Sequence, residues 1–157
     1  MELGVLGAAL EREHREIDEG IGRFGVAGLD DRERIDSLQR AVDALRRHIY
    51  LEEEFLFPPM EPDLAIPTMV MLREHGKIWD CLDEIEARLR AGEVDESLAQ
   101  ACRDLLVHLA SHNAKEEPIF YGPADATLSA SERAELEELI ASGRLPEGWT
   151  CRQAGLG

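Results

Sequence analysis

HIYLEEEFLFP, residues 48–58, places a histidine four residues before a glutamate and then runs into aromatic side chains and proline. In a helix, residues three and four apart share a face, so His48 and Glu52 fall on the stripe that also carries Leu45 and Phe55. An imidazole and a carboxylate therefore face the position where an apolar core is expected.

Four long stretches of the chain carry apolar residues at spacings of three and four, the pattern of amphipathic helices. They run from about Glu2 to Phe24, Asp31 to Phe57, Thr68 to Arg90 and Asp95 to Tyr121. The proline-rich stretch 58–67 predicts a loop, and Ser129 with Glu132 predicts a capped shorter helix that reaches about Ser142. The prediction is an all-α chain: an antiparallel up-and-down four-helix bundle at 1–125, built from two similar hairpins, followed by a short C-terminal helix and tail at 126–157.

The second half of the bundle repeats the first. REHREIDEG at 12–20 resembles REHGKIWDC at 73–81, and HIYLEEEFLFP resembles HNAKEEPIFYG at 112–122. Each copy contributes one lone histidine on the apolar stripe and one HxxxE motif, which gives His14, His48 and Glu52 in the first copy and His75, His112 and Glu116 in the second. The sequence predicts a pseudo-twofold site in the core.

Taken singly, each of these residues has an ordinary explanation. A histidine on an apolar stripe is more often a hydrogen-bonded core residue, and an HxxxE motif among other glutamates is more often a solvated face. Together they need another cause, because unpaired buried charges each cost on the order of several kcal/mol and the stripes offer no lysine or arginine to pair them. A cation bound by imidazoles and carboxylates removes this cost.

The arrangement resembles the hemerythrin-like proteins, the HHE cation-binding domains, whose pattern is H…HxxxE…H…HxxxE on four successive helices. The aromatic helix ends FLFP and PIFY are also similar to that family. The resemblance covers about residues 1–125. It implies that the six residues bind two iron ions, bridged by carboxylates and by an oxo or hydroxo group. It also implies a protein that binds or reacts with dioxygen, peroxide or nitric oxide, in sensing or detoxification, and leaves open whether that protein is an enzyme.

Two positions differ from the oxygen-carrying members of the family. Those proteins have HxxxH on the third helix, whereas here Trp79 follows His75 at that spacing. One ligand is therefore missing, and Trp79 is predicted to lie beside the site and restrict access. Their HxxxxD motif would select Glu117, but a regular helix turns Glu116 to about 40° from His112 and Glu117 to about 140°. Glu116 is the first choice and Glu117 the second.

His108 lies one turn before His112, at the edge of the stripe. Two roles are open for it: replacing the lost ligand, or hydrogen-bonding to one of the others. Glu53 and Glu54, the remaining glutamates of the EEE run, turn away from the stripe and are predicted to be solvent-exposed. Loss of a ligand opens a coordination position, which favours reactivity with small molecules over reversible carriage.

The composition of the chain argues against a nucleic-acid-binding, membrane or secreted protein. The chain has 33 acidic and 17 basic residues, a net charge of −16, which repels a nucleic-acid backbone. No stretch approaches the about 20 apolar residues of a membrane span, the start lacks a basic signal-peptide region, and the three cysteines form no CxxC pair, so a cytoplasmic protein is expected. An iron storage or delivery protein and a metal-free helical interaction module remain the alternatives, and the oligomeric state is open.

Overall fold

The computed structural model describes residues 2–26 and 28–156. Within them every regular element is helical, and the α-helices are α1 Val5–Gly22, α2 Asp31–Leu51, α3 Phe57–Met60, α4 Ala65–Arg90, α5 Glu96–Glu116, α6 Gly122–Thr127 and α7 Ala130–Ser142. A short 3₁₀ turn, Arg23–Gly25, follows α1. Two π-helical turns, Glu52–Leu56 and Glu117–Tyr121, join α2 to α3 and α5 to α6 without a break.

The four long helices form the predicted bundle. Helix α1 packs against α2 and α5, and α4 packs against the same two helices. Side-chain caps begin two of them, because Asp30 accepts a hydrogen bond from the Glu33 N–H at 2.8 Å and Asp95 accepts one from the Leu98 N–H at 3.2 Å. The all-α bundle with a short C-terminal helix is confirmed, and none of the described helices is long and apolar enough to cross a membrane.

The prediction of a loop at 58–67 is wrong at both ends. Pro58 and Pro59 lie inside α3, and Pro67 lies in the first turn of α4. The N–H groups of the first turn of α4 have no partner within the helix, so Pro67 is tolerated there, whereas Pro58 and Pro59 directly follow the π turn. Helical backbone therefore continues from α2 to Met60, and only residues 61–64 separate the two hairpins.

The core consists of two apolar layers with a polar layer between them. One layer contains Ile17, Leu45, Ile78 and Leu109, and the other contains Leu10, Leu51, Leu72 and Phe120. On each long helix the residues that separate these layers are the histidine or the HxxxE motif predicted as ligands. Helix packing therefore brings the four polar segments to the same level of the bundle.

Residues after α6 pack back onto the bundle. Helix α7 begins with the predicted capping box of Ser129 and Glu132, and its Leu136 is fully buried in the second apolar layer. The tail then runs over α4 so closely that a Cβ on Gly76 would lie 2.6 Å from the Gln153 carbonyl oxygen. Cys151 of the tail is buried in the first layer.

Candidate metal centre

The six residues predicted as ligands meet in the polar layer and are almost inaccessible to solvent. The largest exposure among them is 5%, at His14, and Glu116 is completely buried. The full set is His14 from α1, His48 from α2, Glu52 from the first π turn, His75 from α4, and His112 and Glu116 from α5. Ionised glutamates are rarely buried to this extent without a cation or strong hydrogen bonds.

Their ligand atoms form two groups that share both carboxylates. In each group all the atoms lie within 4.8 Å of one another. The first group, called the Tyr121 half after a tyrosine described below, is His14, His48, Glu52 and Glu116. The second group, called the Phe57 half, is His75, His112, Glu52 and Glu116. Each group could hold one metal ion.

The two oxygens of each carboxylate face different halves. Glu52 Oε2 lies 3.4 Å from His48 Nε2, while its Oε1 lies 3.2 Å from His75 Nε2. Glu116 Oε1 lies 3.1 Å from His14 Nε2, while its Oε2 lies 3.3 Å from His112 Nε2. This geometry suits two carboxylates that bridge two cations.

Two oxygens in the Phe57 half support this interpretation. Glu52 Oε1 and Glu116 Oε2 are buried without a hydrogen-bond partner. A buried polar atom left unpaired costs about 1–3 kcal/mol, and more when it is charged. A cation in this half would satisfy both oxygens together with the Nε2 atoms of His75 and His112, so the residues present fit a metal ion.

Each of the four histidines hydrogen-bonds to a carboxylate through Nδ1, its outer nitrogen, which lies on the side of the ring away from the centre. These four carboxylates are called the outer carboxylates. The Nδ1–H groups donate to Glu117 from His14 at 2.9 Å, to Glu13 from His48 at 2.8 Å, to Glu53 from His75 at 2.8 Å and to Glu74 from His112 at 2.9 Å. Such bonds fix the tautomer and direct Nε2 inward, as is usual for metal-binding histidines. The pattern is repeated by the two hairpins, since Glu13 corresponds to Glu74 and Glu53 to Glu117.

The prediction that Glu53 is exposed is wrong. Its side chain is 1% exposed, and besides the His75 bond it accepts one from the Arg152 N–H of the tail at 2.9 Å. A regular helix would turn it away from the stripe, but the bundle packs α4 and the tail against that face. Glu54 is exposed as predicted and accepts a hydrogen bond from Trp149 Nε1.

The second-choice residues lie outside both halves. Glu117 bonds to the outer nitrogen of His14, and its side chain is 32% exposed. His108 is exposed on the surface of α5. Trp79 packs in the first apolar layer, where its ring contacts Trp149 at 5.5 Å between centroids and the Arg46 guanidinium lies 4.4 Å from its centroid. A role for Trp79 in restricting access stays a prediction.

The buried groups strongly change one another's protonation. Burial by itself lowers the pKa of His112, but the charge of Glu116, whose Oε2 lies 3.3 Å from Nε2, and the hydrogen bond to Glu74 outweigh burial and raise this pKa to about 10. Burial raises the pKa of Glu116, yet His112 and His14 overcome it and hold this pKa well below its usual range. A metal ion that binds here must displace protons from imidazoles.

Tyr121 is a member of the site that the sequence analysis missed. Its hydroxyl lies 2.8 Å from His14 Nε2, 2.9 Å from His48 Nε2, 2.6 Å from Glu52 Oε2 and 3.0 Å from Glu116 Oε1. In a regular helix, five residues after Glu116 would be about 140° away from it. The π turn, whose backbone bonds span five residues, brings Tyr121 back to the same face. The signal in the sequence was the paired aromatic ends FLFP and PIFY.

The comparison with protein families agrees with this site. The hemerythrin HHE cation binding domain matches residues 6–124. The chain therefore belongs to the hemerythrin HHE cation-binding family. Neither a search of curated proteins nor a search of solved structures found a significant match.

Proposed function

We propose that this protein binds two iron ions, one in each half of the centre, and that the pair binds or reacts with a small molecule such as dioxygen, peroxide or nitric oxide. The observation that carries the proposal is the pair of buried carboxylates, each with one oxygen toward each half and with unpartnered oxygens in the Phe57 half. In a metal-free helical module these two oxygens would stay buried without a hydrogen bond, near the Nε2 atoms of His75 and His112 but hydrogen-bonded to neither.

The ligand types favour iron. Each half offers two imidazole nitrogens and two carboxylate oxygens, with no thiolate among them. Mixed imidazole and carboxylate sets that leave coordination positions open are typical of non-heme iron, whereas structural zinc sites are tetrahedral and closed, and usually rich in cysteine. The three cysteines are Cys81, Cys102 and Cys151, and none belongs to either half.

The protein supplies orientation and exclusion of water. The four outer carboxylates hold the imidazoles with Nε2 toward the centre, and the two apolar layers cover it on both sides. Glu13 is itself fixed by Arg47 at 2.5 Å, and Glu74 by Lys115. When bound, two irons supply electrons and open positions to a small ligand, and this rigid surrounding keeps the ligand set in place.

Metal analysis of protein expressed with ample iron tests the proposal directly. We expect two irons per chain and an absorption spectrum that changes when azide, peroxide, dioxygen or nitric oxide is added. Finding one zinc per chain, or no metal, would contradict the proposal. Finding two manganese ions would keep the two-metal centre and correct the identity of the metal.

A further inference from the structure

The two hairpins place different side chains at one matching position of the site. Tyr121 follows Glu116 at the same spacing at which Phe57 follows Glu52; Tyr121 is the last residue of its π turn, and Phe57 comes directly after the other π turn. The histidines, the shared carboxylates and the outer carboxylates all match between the hairpins. The aromatic position therefore gives one half of the centre an oxygen atom that the other lacks.

The Tyr121 hydroxyl belongs to one half only. It is completely buried, and its partners are the four ligand atoms of the Tyr121 half, at 2.6 to 3.0 Å. Gly7 allows the tyrosine to sit this deep, because a Cβ there would lie 2.5 Å from the Tyr121 carbonyl oxygen. In the Phe57 half, the phenyl ring stacks on the His75 ring with centroids 5.5 Å apart and offers no polar atom.

On the basis of the proposed di-iron function, we infer that Tyr121 is a further ligand, to the metal held by His14 and His48. The metal held by His75 and His112, beside Phe57, is then the one that binds the small molecule. The two irons of the centre are inequivalent for this reason.

Hydrogen bonding supports the assignment of Tyr121. A cation in the Tyr121 half takes all four partners of the hydroxyl at once, and no further hydrogen-bond partner is described for this hydroxyl. A buried hydroxyl without a partner costs about 1–3 kcal/mol. Coordination through the phenol oxygen avoids this cost, since the metal replaces the phenol proton, which is released to the solvent.

The charge of the two metal ions also supports Tyr121 as a ligand. Two shared carboxylates only partly neutralise two cations of charge two or more, so an additional anionic oxygen in the centre is favoured. The phenolate supplies it in the Tyr121 half. In the Phe57 half the phenyl ring supplies nothing, and an exogenous anion or a neutral small molecule can take the remaining position.

Visible and resonance Raman spectroscopy of the iron-loaded protein tests the ligand. The chain has only two tyrosines, so a phenolate bound to iron(III) must come from Tyr121 or from Tyr50, which packs edge-on against Phe55 and Trp149. We expect wild type to show a phenolate-to-iron charge-transfer band with phenolate vibrations. Tyr50→Phe should keep both, and Tyr121→Phe should keep iron and lose both.

Azide titration tests the second part of the inference. We expect wild type to bind one azide per chain, Tyr121→Phe to accept a second, and Phe57→Tyr to lose azide binding while it gains phenolate intensity. The spectra of wild type and Tyr50→Phe are sufficient to assign a phenolate to Tyr121. The test of Tyr121 as a ligand therefore does not depend on the folding of any other variant.

The failures are distinguishable. Wild type with two irons but no phenolate signal would leave the di-iron function standing and overturn the role of Tyr121. A phenolate signal with azide binding unaffected by Phe57→Tyr would overturn the location of the small molecule. Wild type without iron would overturn the proposed function and this inference with it.

Discussion

Replacing Glu53 by alanine tests whether the carboxylates around the histidines stabilise the centre. Glu53 is 1% exposed and accepts hydrogen bonds from His75 Nδ1 at 2.8 Å and from the Arg152 N–H at 2.9 Å. Of these two bonds the one from Arg152 is only partly buried, whereas the one from His75, itself 1% exposed, is fully buried.

The expected loss follows from the His75 bond. A hydrogen bond to a charged group contributes about 1.5–3 kcal/mol, and the unpaired imidazole adds a desolvation cost, so we expect Glu53→Ala to lower the free energy of unfolding by about 3 kcal/mol. For a chain of this size that corresponds to a melting temperature about 6–12 °C lower. Iron affinity should fall about 10–100-fold, because His75 loses its fixed orientation.

Glu54→Ala is the matched control. Glu54 neighbours Glu53 in the same π turn, but it is exposed and its only described bond is from Trp149 Nε1 at 3.1 Å. Its loss should cost no more than about 1 kcal/mol and leave iron affinity unchanged. Thermal melts and competition with a chelator measure both quantities. Equal behaviour of the two variants would refute the role given to the outer carboxylates.

Three further predictions concern the ligands and the protonation of the site. Glu52→Ala and Glu116→Ala should each lower the affinity for iron by more than the about 10–100-fold expected when a carboxylate that only holds a histidine is lost, whereas Glu117→Ala should keep both ions with lower affinity. Iron content after dialysis is the measurement. If Glu117→Ala loses iron while Glu116→Ala keeps it, Glu117 is the ligand. His108→Ala should leave iron content and spectrum unchanged, since His108 is exposed, and loss of one iron would make it a ligand. The pKa of His112 is raised from 6.5 to about 10, so its stabilisation of the metal-free protein is complete below pH 6.5 and is lost as the pH rises through about 10. The melting temperature of chelator-treated protein should therefore fall as the pH rises from 6.5 to about 10. A melting temperature that does not change over this pH range would contradict the raised pKa of His112.

The sequence by itself determined the four long helices and the six inward-facing residues of the centre. Both depend on the period of the α-helix, which places residues four apart on one face whatever the helix packs against. The duplication added the expectation of two matching halves, and the structure brings His14 and His48 together with Glu52 and Glu116 as that expectation requires. The capping box of α7 is local in the same way, since Ser129 and Glu132 bond to each other's backbone.

Only the tertiary structure decided which side chains surround those six residues. Glu53 reads as a surface residue on its own helix, and it becomes buried because α4 and the tail lie against it. Tyr121 reads as pointing away from Glu116, and it enters the centre because a π turn adds a residue to the helical repeat at that point. A periodic pattern describes one regular helix, whereas contacts between helices and a local change of helical period depend on how the whole bundle packs.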